Sequence, residues 1–257
     1  MSSSTGLEIN NLDIVIPVRI DSTERKENLL TLLDYLQSFG FEHITVLEAD
    51  TYSHINLSSY PNVKYIFVND NNRAFWKNKY TNMLYKTSRE FVAVWDTDII
   101  VPYNQILEAC KLLVQGRTLV LPYDGICLFL NKERSDIFRG HIDLKYASQH
   151  GLRLLGRPSV GGVYMINKTK FLSCGGENER FIGWGPEDAE RIKRLEILGA
   201  NIGRVKGQIY HLYHPIKREF SRNAEIIYRN NQREFLRICS LNKDQLNQDI
   251  QKWKKEV

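Results

Sequence analysis

A chain of 257 residues that is 42% hydrophobic and 11% aromatic has the apolar content for a real core in one large α/β domain, which excludes a disordered polymer. Its net charge of +5, from 35 basic and 30 acidic residues, is too mild to argue for nucleic acid, though it suits an anionic small molecule or surface. The four cysteines (Cys110, Cys127, Cys174, Cys239) form no C-x-x-C pair, and no run approaches the ~20 apolar residues of a membrane span. With a polar, serine-rich stretch from Met1 to Asn11, this reads as a cytoplasmic protein with reduced thiols, or one held peripherally at the inner face of a membrane.

Leu12 to Val18 (LDIVIPV) is a nearly continuous apolar run of the kind buried on both faces of a parallel sheet. A helix is expected over Lys26 to Ser38, with leucines at helical spacing and Gly40 beyond its end. Strands follow at His43–Leu47 and Val63–Val68, a helix at Lys77–Thr87, and a strand at Phe91–Trp95. That alternation argues for βαβ units and an open, mostly parallel sheet flanked by helices. Further strands are expected at Thr118–Leu121, Gly162–Ile166 and Gln208–Tyr213. Helices are expected within Asn131–His150, at Lys168–Cys174 and over Pro186–Leu198. The expected division is a domain over residues 1–216, with a nucleotide-binding half at about 12–103 and an acceptor half at about 104–216. A C-terminal helical extension follows over 217–257, with Ile226, Ile227, Phe235, Leu236 and Ile238 on its buried side and no chemistry of its own.

Asp96-Thr97-Asp98 stands directly after the apolar run ending at Trp95. In an extended segment Asp96 and Asp98 fall on one side, at the carboxyl end of a strand, where open α/β sheets bind ligands. Two adjacent carboxylates between apolar runs invite a hard divalent cation bridging to a diphosphate. The competing reading is a solvated turn. Gly183-Trp184-Gly185-Pro186-Glu187-Asp188 opens the later helix, and its acids either cap that helix or project Asp188 into a cleft as a general base. Trp184, between two glycines, makes poor core and a good platform for a sugar ring. His211 and His214 could complete a cation's coordination, although in an extended segment they point to opposite sides, which leaves one of them as the ligand. At the other end, Pro17 and Arg19 close the first strand, arginine offering a fork of donors to a diphosphate. Glu48 and Asp50 could accept hydrogen bonds from a nucleobase or ribose.

In order along the chain, IPVR (16–19), NRAFWKNKYTN (72–82), WDTDIIVPYN (95–104), VGGVYMINKTKFLSCGG (160–176), FIGWGPEDAE (181–190) and YHLYHP (210–215) resemble the GT-A, or nucleotide-diphospho-sugar transferase, fold. More narrowly they resemble the β-1,4-galactosyltransferases and the related GalNAc-transferase and chondroitin polymerase domains. The resemblance implies an inverting, metal-dependent transfer of a hexose or N-acetylhexosamine, galactose or GalNAc, from a UDP-sugar to an acceptor sugar hydroxyl, with Mn²⁺ or Mg²⁺ as cofactor and a carbohydrate or glycolipid as acceptor. It implies Asp98 with His211 or His214 on the metal and Asp96 beside the donor ribose. Asp188 is then the base, with Trp184 and Glu187 at the acceptor. Pro17, Arg19, Arg73 and Lys79 fall by the nucleotide and diphosphate, and Gly161 and Gly162 along the donor cleft. Pro186 and Ala189 depart from the galactosyltransferase pattern.

Two rival classes share such a sheet. A nucleotidyltransferase making the sugar nucleotide needs a glycine-rich phosphate loop after the first strand, where this chain reads RIDSTERKEN. A non-catalytic carbohydrate-binding protein does not need the retained Asp96, Asp98 and Asp188.

Overall fold

The computed structural model describes residues 11–215 and 222–256, so the expected boundary at residue 216 lies outside the described residues. The strands are β1 (Leu12–Val18), β2 (Ile44–Asp50), β3 (Val63–Asn69), β4 (Phe91–Trp95), β5 (Ile99–Ile100), β6 (Leu119–Leu121), β7 (Cys127–Phe129), β8 (Leu152–Arg153), β9 (Val163–Asn167), β10 (Ile202–Arg204) and β11 (Ile209–His211). The helices are α1 (Thr23–Ser38), α2 (Lys77–Tyr85), α3 (Tyr103–Val114), α4 (Lys132–Gly140), α5 (Leu144–His150), α6 (Lys168–Ser173), α7 (Glu187–Leu198), α8 (Arg222–Cys239) and α9 (Lys243–Glu256).

Seven strands form the main sheet in the order β10-β6-β9-β4-β1-β2-β3. Every pairing is parallel except those of β9, which runs against both β4 and β6. The reading from apolar runs is thus borne out as a mostly parallel sheet. β1, an inner strand of this sheet, is buried along nearly its whole length, as its unbroken apolar run requires. α1 begins three residues earlier than its leucines indicate, because the Ser22 hydroxyl accepts from the Arg25 N–H at 3.2 Å and caps the first turn. The expected helix within Asn131–His150 is two, each opened by its own side-chain cap, Asn131 for α4 and Asp143 for α5. α3 was not anticipated, yet Ile106, Ala109, Cys110 and Leu113 lie on one buried helical stripe.

This topology decides what meets at the sheet's edge. β1, β2 and β4 all point their carboxyl ends to the same side. The reversed β9 brings its amino end, preceded by Gly161 and Gly162, to that side as well. A second sheet, β5-β11-β7-β8, pairs His211 with Ile99 and so seats the last strand beside the turn after β4.

α8 and α9 fold back onto α7 through Ile238, Leu246, Ile250 and Trp253, packed against Ile197, Leu198 and Leu241. The expected buried face of this extension is corrected here, since Ile226 and Leu236 are exposed and Ile238 is the buried member of the five. The face that α8 turns inward follows Ile227, Asn231 and Ile238, which a hydrophobicity count passes over because its centre is an asparagine. Among the described residues no helix is long and apolar enough to cross a membrane.

Candidate active site

β4 ends at Trp95 and the chain turns. The Ile99 N–H donates to the Asp96 carbonyl at 3.2 Å, and the Trp95 indole N–H donates to the Ile99 carbonyl at 2.8 Å. Asp96-Thr97-Asp98 is therefore not extended, and its two carboxylates have separate partners. Asp96 pairs with Lys77, from the first turn of α2. Asp98, 4% exposed, has its Oδ2 at 2.8 Å from His214 Nε2, 3.8 Å from His211 Nε2 and 3.6 Å from Arg25 Nη1. Burial alone would raise the Asp98 carboxyl, but His211, the His214 hydrogen bond and Arg25 outweigh it and hold the group well below the usual carboxylate range.

Both histidines reach Asp98, which corrects the expectation that they diverge. β11 stops at His211 and the Leu212 N–H donates to the Asp98 carbonyl at 2.8 Å, so the chain leaves the strand before His214. The two rings lie 5.4 Å apart. One donor atom each from Asp98, His211 and His214 fall within 4.8 Å of one another. Metal–ligand bonds of about 2.1 Å put two donors of one ion no more than about 4.2 Å apart, and the Asp98 oxygen, 2.8 Å from His214 Nε2 and 3.8 Å from His211 Nε2, meets that limit with either histidine. A carboxylate with two imidazoles also suits a transition-series ion better than an all-oxygen Mg²⁺ site.

Asp188 sits in the first turn of α7 with its side chain partly exposed. Its Oδ1 accepts from Arg191 Nη1 at 2.8 Å, and Arg191, fully buried, is fixed in turn by Glu177 at 2.9 Å. Its other oxygen lies against Gly161. The Gly162 carbonyl accepts from the Asp96 N–H at 2.8 Å, and the Gly161 carbonyl accepts from the Tyr123 hydroxyl at 2.7 Å. A single glycine dipeptide therefore separates Asp188 from the backbone of Asp96, and consecutive α-carbons span about 3.8 Å. Glu187 has an Oε2 that is buried without a hydrogen-bond partner. Burial and then the neighbouring Asp188 push the Glu187 carboxyl up to about 8, against the pull of Lys77. Lys77 is the shared cation here. Burial works to discharge it, yet Asp96, Asp188 and Glu187 more than offset that and keep it charged.

Trp184 is 74% exposed and stacks on Tyr228 of α8. The nucleotide-end residues are more occupied than the sequence indicates. Arg19 spends its guanidinium on the Ala49 carbonyl at 2.9 Å, the Asn72 carbonyl at 2.8 Å and Asp70 at 2.7 Å, tying the ends of β1, β2 and β3 together. Glu48 is fully buried, accepting from the His54 N–H at 2.9 Å and from the Tyr65 hydroxyl, so it shapes the loop after β2. Asp50 lies at that loop's start, 3.5 Å from His54 Nε2. Pro17 is buried within β1, and Arg73 lends its carbonyl to Arg19 at 3.3 Å. Lys79 lies over the Trp76 ring at 4.9 Å, while Lys77, two positions earlier and on the other side of the helix, takes the place beside Asp96. The sequence, which gives no sign of Lys77 or Arg191, places Arg25 with Arg19 at the nucleotide end, whereas the structure sets it 3.6 Å from Asp98.

A protein-family model described as the N-terminal domain of galactosyltransferase matches residues 144–215, the stretch that carries Gly161, Gly162, Trp184, Glu187, Asp188 and both histidines. Among curated proteins, β-1,4-galactosyltransferase 7 of Mus musculus and of Homo sapiens are each 33% identical over 66 residues, which is 23% of this chain and 20% of theirs. The chain thus matches about a fifth of the length of these relatives. Among solved structures, GalNAc-T7 with UDP, GalNAc and Mn²⁺ superposes with a TM-score of 0.56 at 10% identity, over 89% of this chain and 47% of that one. A Drosophila β-1,4-galactosyltransferase 7 variant in complex with manganese, UDP-Gal and xylobiose gives 0.51 at 15% identity, over 85% of this chain and 79% of that one. Glucosyl-3-phosphoglycerate synthase of Mycobacterium tuberculosis gives 0.54 at 15%, over 90% and 80%. The fold is GT-A, as expected from the motifs.

Proposed function

We propose that this chain is a metal-dependent glycosyltransferase, moving a hexose or N-acetylhexosamine from a UDP-sugar to an acceptor hydroxyl with inversion. The observation that carries the reading is that Asp188 and the turn bearing Asp96 and Asp98 abut the same Gly161-Gly162 dipeptide, with both histidines on Asp98. The likeness of residues 144–215 to galactosyltransferases supports it, as do the UDP and Mn²⁺ bound by the structural neighbours.

Asp98, His211 and His214 would hold Mn²⁺, which when bound supplies Lewis-acid neutralisation of a leaving diphosphate. The rest is work for the chain's own side chains. Asp188, held by Arg191 through one oxygen, presents the other to the acceptor hydroxyl. As that hydroxyl's oxygen forms its bond to the anomeric carbon, the bond from the anomeric carbon to the diphosphate oxygen breaks on the opposite face. UDP leaves with the electron pair and the proton passes to Asp188. Lys77 offsets the charge of Asp96, Asp188 and Glu187 and keeps three carboxyl groups tolerable in one cleft. Glu187 lies beside Asp188, its carboxyl raised to about 8 by burial and by that neighbour, and the resemblance sets it at the acceptor.

A peripheral place at an anionic membrane belongs to the same reading, with a glycolipid among the acceptors. Leu152, Leu154 and Leu155 are exposed beside Arg153 and Arg157, which is the side-chain chemistry of an interfacial loop. Co-flotation with phosphatidylglycerol vesicles, and not with phosphatidylcholine, is the expected result. Equal recovery with both lipids would remove this part of the reading.

The deciding experiment measures UDP release from UDP-galactose and UDP-GalNAc with Mn²⁺, before and after chelation. Release that needs the metal, with thermal stabilisation by UDP plus Mn²⁺ but not by nucleoside triphosphates, is expected. A chain stabilised by triphosphates and inert toward both UDP-sugars would be a different enzyme.

A further inference from the structure

Helix α8 lies outside the segment that matches galactosyltransferases, yet it meets the loop that carries Trp184. Asn231, 1% exposed, commits its whole amide there. Its Nδ2 donates to the Ile182 carbonyl at 2.8 Å and the Trp184 carbonyl at 3.1 Å, and its Oδ1 accepts from the Ile182 N–H at 3.3 Å. The approach is close enough that a β-carbon at position 185 would stand 2.7 Å from Asn231 Nδ2, so Gly185 is what lets helix and loop touch. Gly183, at φ 65°, turns the loop so that its N–H donates to the Phe75 carbonyl at 2.9 Å. Almost one turn before Asn231, Tyr228 stacks on Trp184, centroids 5.8 Å apart and planes 12° from parallel.

α8 is itself anchored. Glu234 accepts from Asn178 Nδ2 at 2.9 Å, and Ile238 enters the small apolar cluster with α9. A loop is thus held from three sides in order to keep one indole in place, and that indole remains 74% exposed. Stability gives no reason to fix an exposed tryptophan in this way, whereas recognition does. A rigid aromatic face leading by three residues into Glu187-Asp188 matches the apolar C–H face of a pyranose ring.

We infer that α8 is part of the acceptor site: Asn231 positions the 181–186 loop and Tyr228 backs Trp184, so that the indole forms a fixed platform for a pyranose ring of the acceptor. The inference rests on the transferase reading and adds two residues of α8 to it. Asn231 is a positioning residue, since it acts through Trp184.

The test follows UDP release from UDP-galactose and UDP-GalNAc with Mn²⁺, in the presence of p-nitrophenyl β-xyloside and p-nitrophenyl β-galactoside. Background hydrolysis reports the donor half, and the glycoside-dependent increment reports the acceptor half. Asn231→Ala, and the exposed Tyr228→Leu should the first fail to fold, are expected to raise the acceptor KM about tenfold, while the donor KM moves less than about twofold. An unchanged acceptor KM, or donor and acceptor KM rising together, overturns the role of α8. Wild-type chain that hydrolyses the donor, yet gains no rate and no tryptophan quenching from either glycoside, overturns the platform and leaves the donor chemistry standing. Should donor hydrolysis itself be missing, glycoside quenching in wild type that is lost in Asn231→Ala still supports the platform, and quenching equal in both sinks it.

Discussion

Gly161 and Asp188 are packed so closely that a β-carbon on Gly161 would lie 2.1 Å from Asp188 Oδ2. No atom pair tolerates that separation, so a methyl group there must displace the carboxylate. The Arg191 anchor cannot follow, because Arg191 is buried and bound to Glu177. Gly161→Ala is therefore expected to lower kcat by about 10²-fold if the carboxylate it displaces is the base proposed above, with UDP binding close to wild type. Turnover within a few-fold of wild type would mean that the carboxylate has slack to spare, and that Gly161 does not set its position.

Asp188→Asn keeps the size of the side chain and its contact with Arg191 while removing the basic oxygen. General-base catalysis is worth about 10²–10⁴-fold, so kcat should fall within that range and the affinity for UDP with Mn²⁺ should hardly change. Calorimetric titration of UDP alongside the rate measurement separates the two effects. Equal loss of binding and rate would make Asp188 a part of the donor site and not the base.

Lys77 supplies the positive charge on which three carboxyl groups depend. Lys77→Met should leave Asp96 without its partner and push both Asp96 and Glu187 further toward their neutral forms, since burial and mutual repulsion already raise them. UDP binding is expected to weaken by about tenfold, one pKa unit's worth of interaction. Unaltered affinity would place Lys77 among structural ion pairs.

The sequence carries the frame of this site and loses its detail at the points where the chain turns. β1 and β4 are legible residue for residue because both faces of each strand are buried, leaving uninterrupted apolar runs. Asp98 and both histidines are legible as residues but not as an arrangement. Alternation along an extended chain sends His211 and His214 apart, whereas the strand's end at His211 brings both to Asp98. Arg19 and Glu48 look like ligand-binding side chains from their place at strand ends, and only three-dimensional contacts reveal that the ends of neighbouring strands already use them. Lys77 was passed over for Lys79 because two residues on a helix lie on opposite sides, a distinction that matters only once the helix's rotation is known. Asn231 carried no signal at all: a polar residue in a charged amphipathic stretch looks solvated until its partners, far away in sequence, are in view.

Glu187 links the site to the stability of the whole fold. Its carboxyl is raised to about 8 by burial and by Asp188, from an ordinary value near 4.5 in the unfolded chain. Below about pH 4.5 both states hold the proton and the shift has no effect. Between there and about pH 8 the unfolded chain has released a proton that the folded chain still binds, so rising pH favours unfolding, and the loss is complete above the folded-state value. Glu187→Gln keeps a neutral group of the same size at every pH and escapes this loss. Its Tm relative to wild type should therefore climb between pH 5 and pH 9, at about 2–4 °C for each kcal/mol recovered in a chain of this size. Differential scanning calorimetry of the two proteins across that range reads the difference directly. A gap in Tm that stays constant with pH would mean that Glu187 ionises normally in the folded protein, and that burial and Asp188 do not hold its proton.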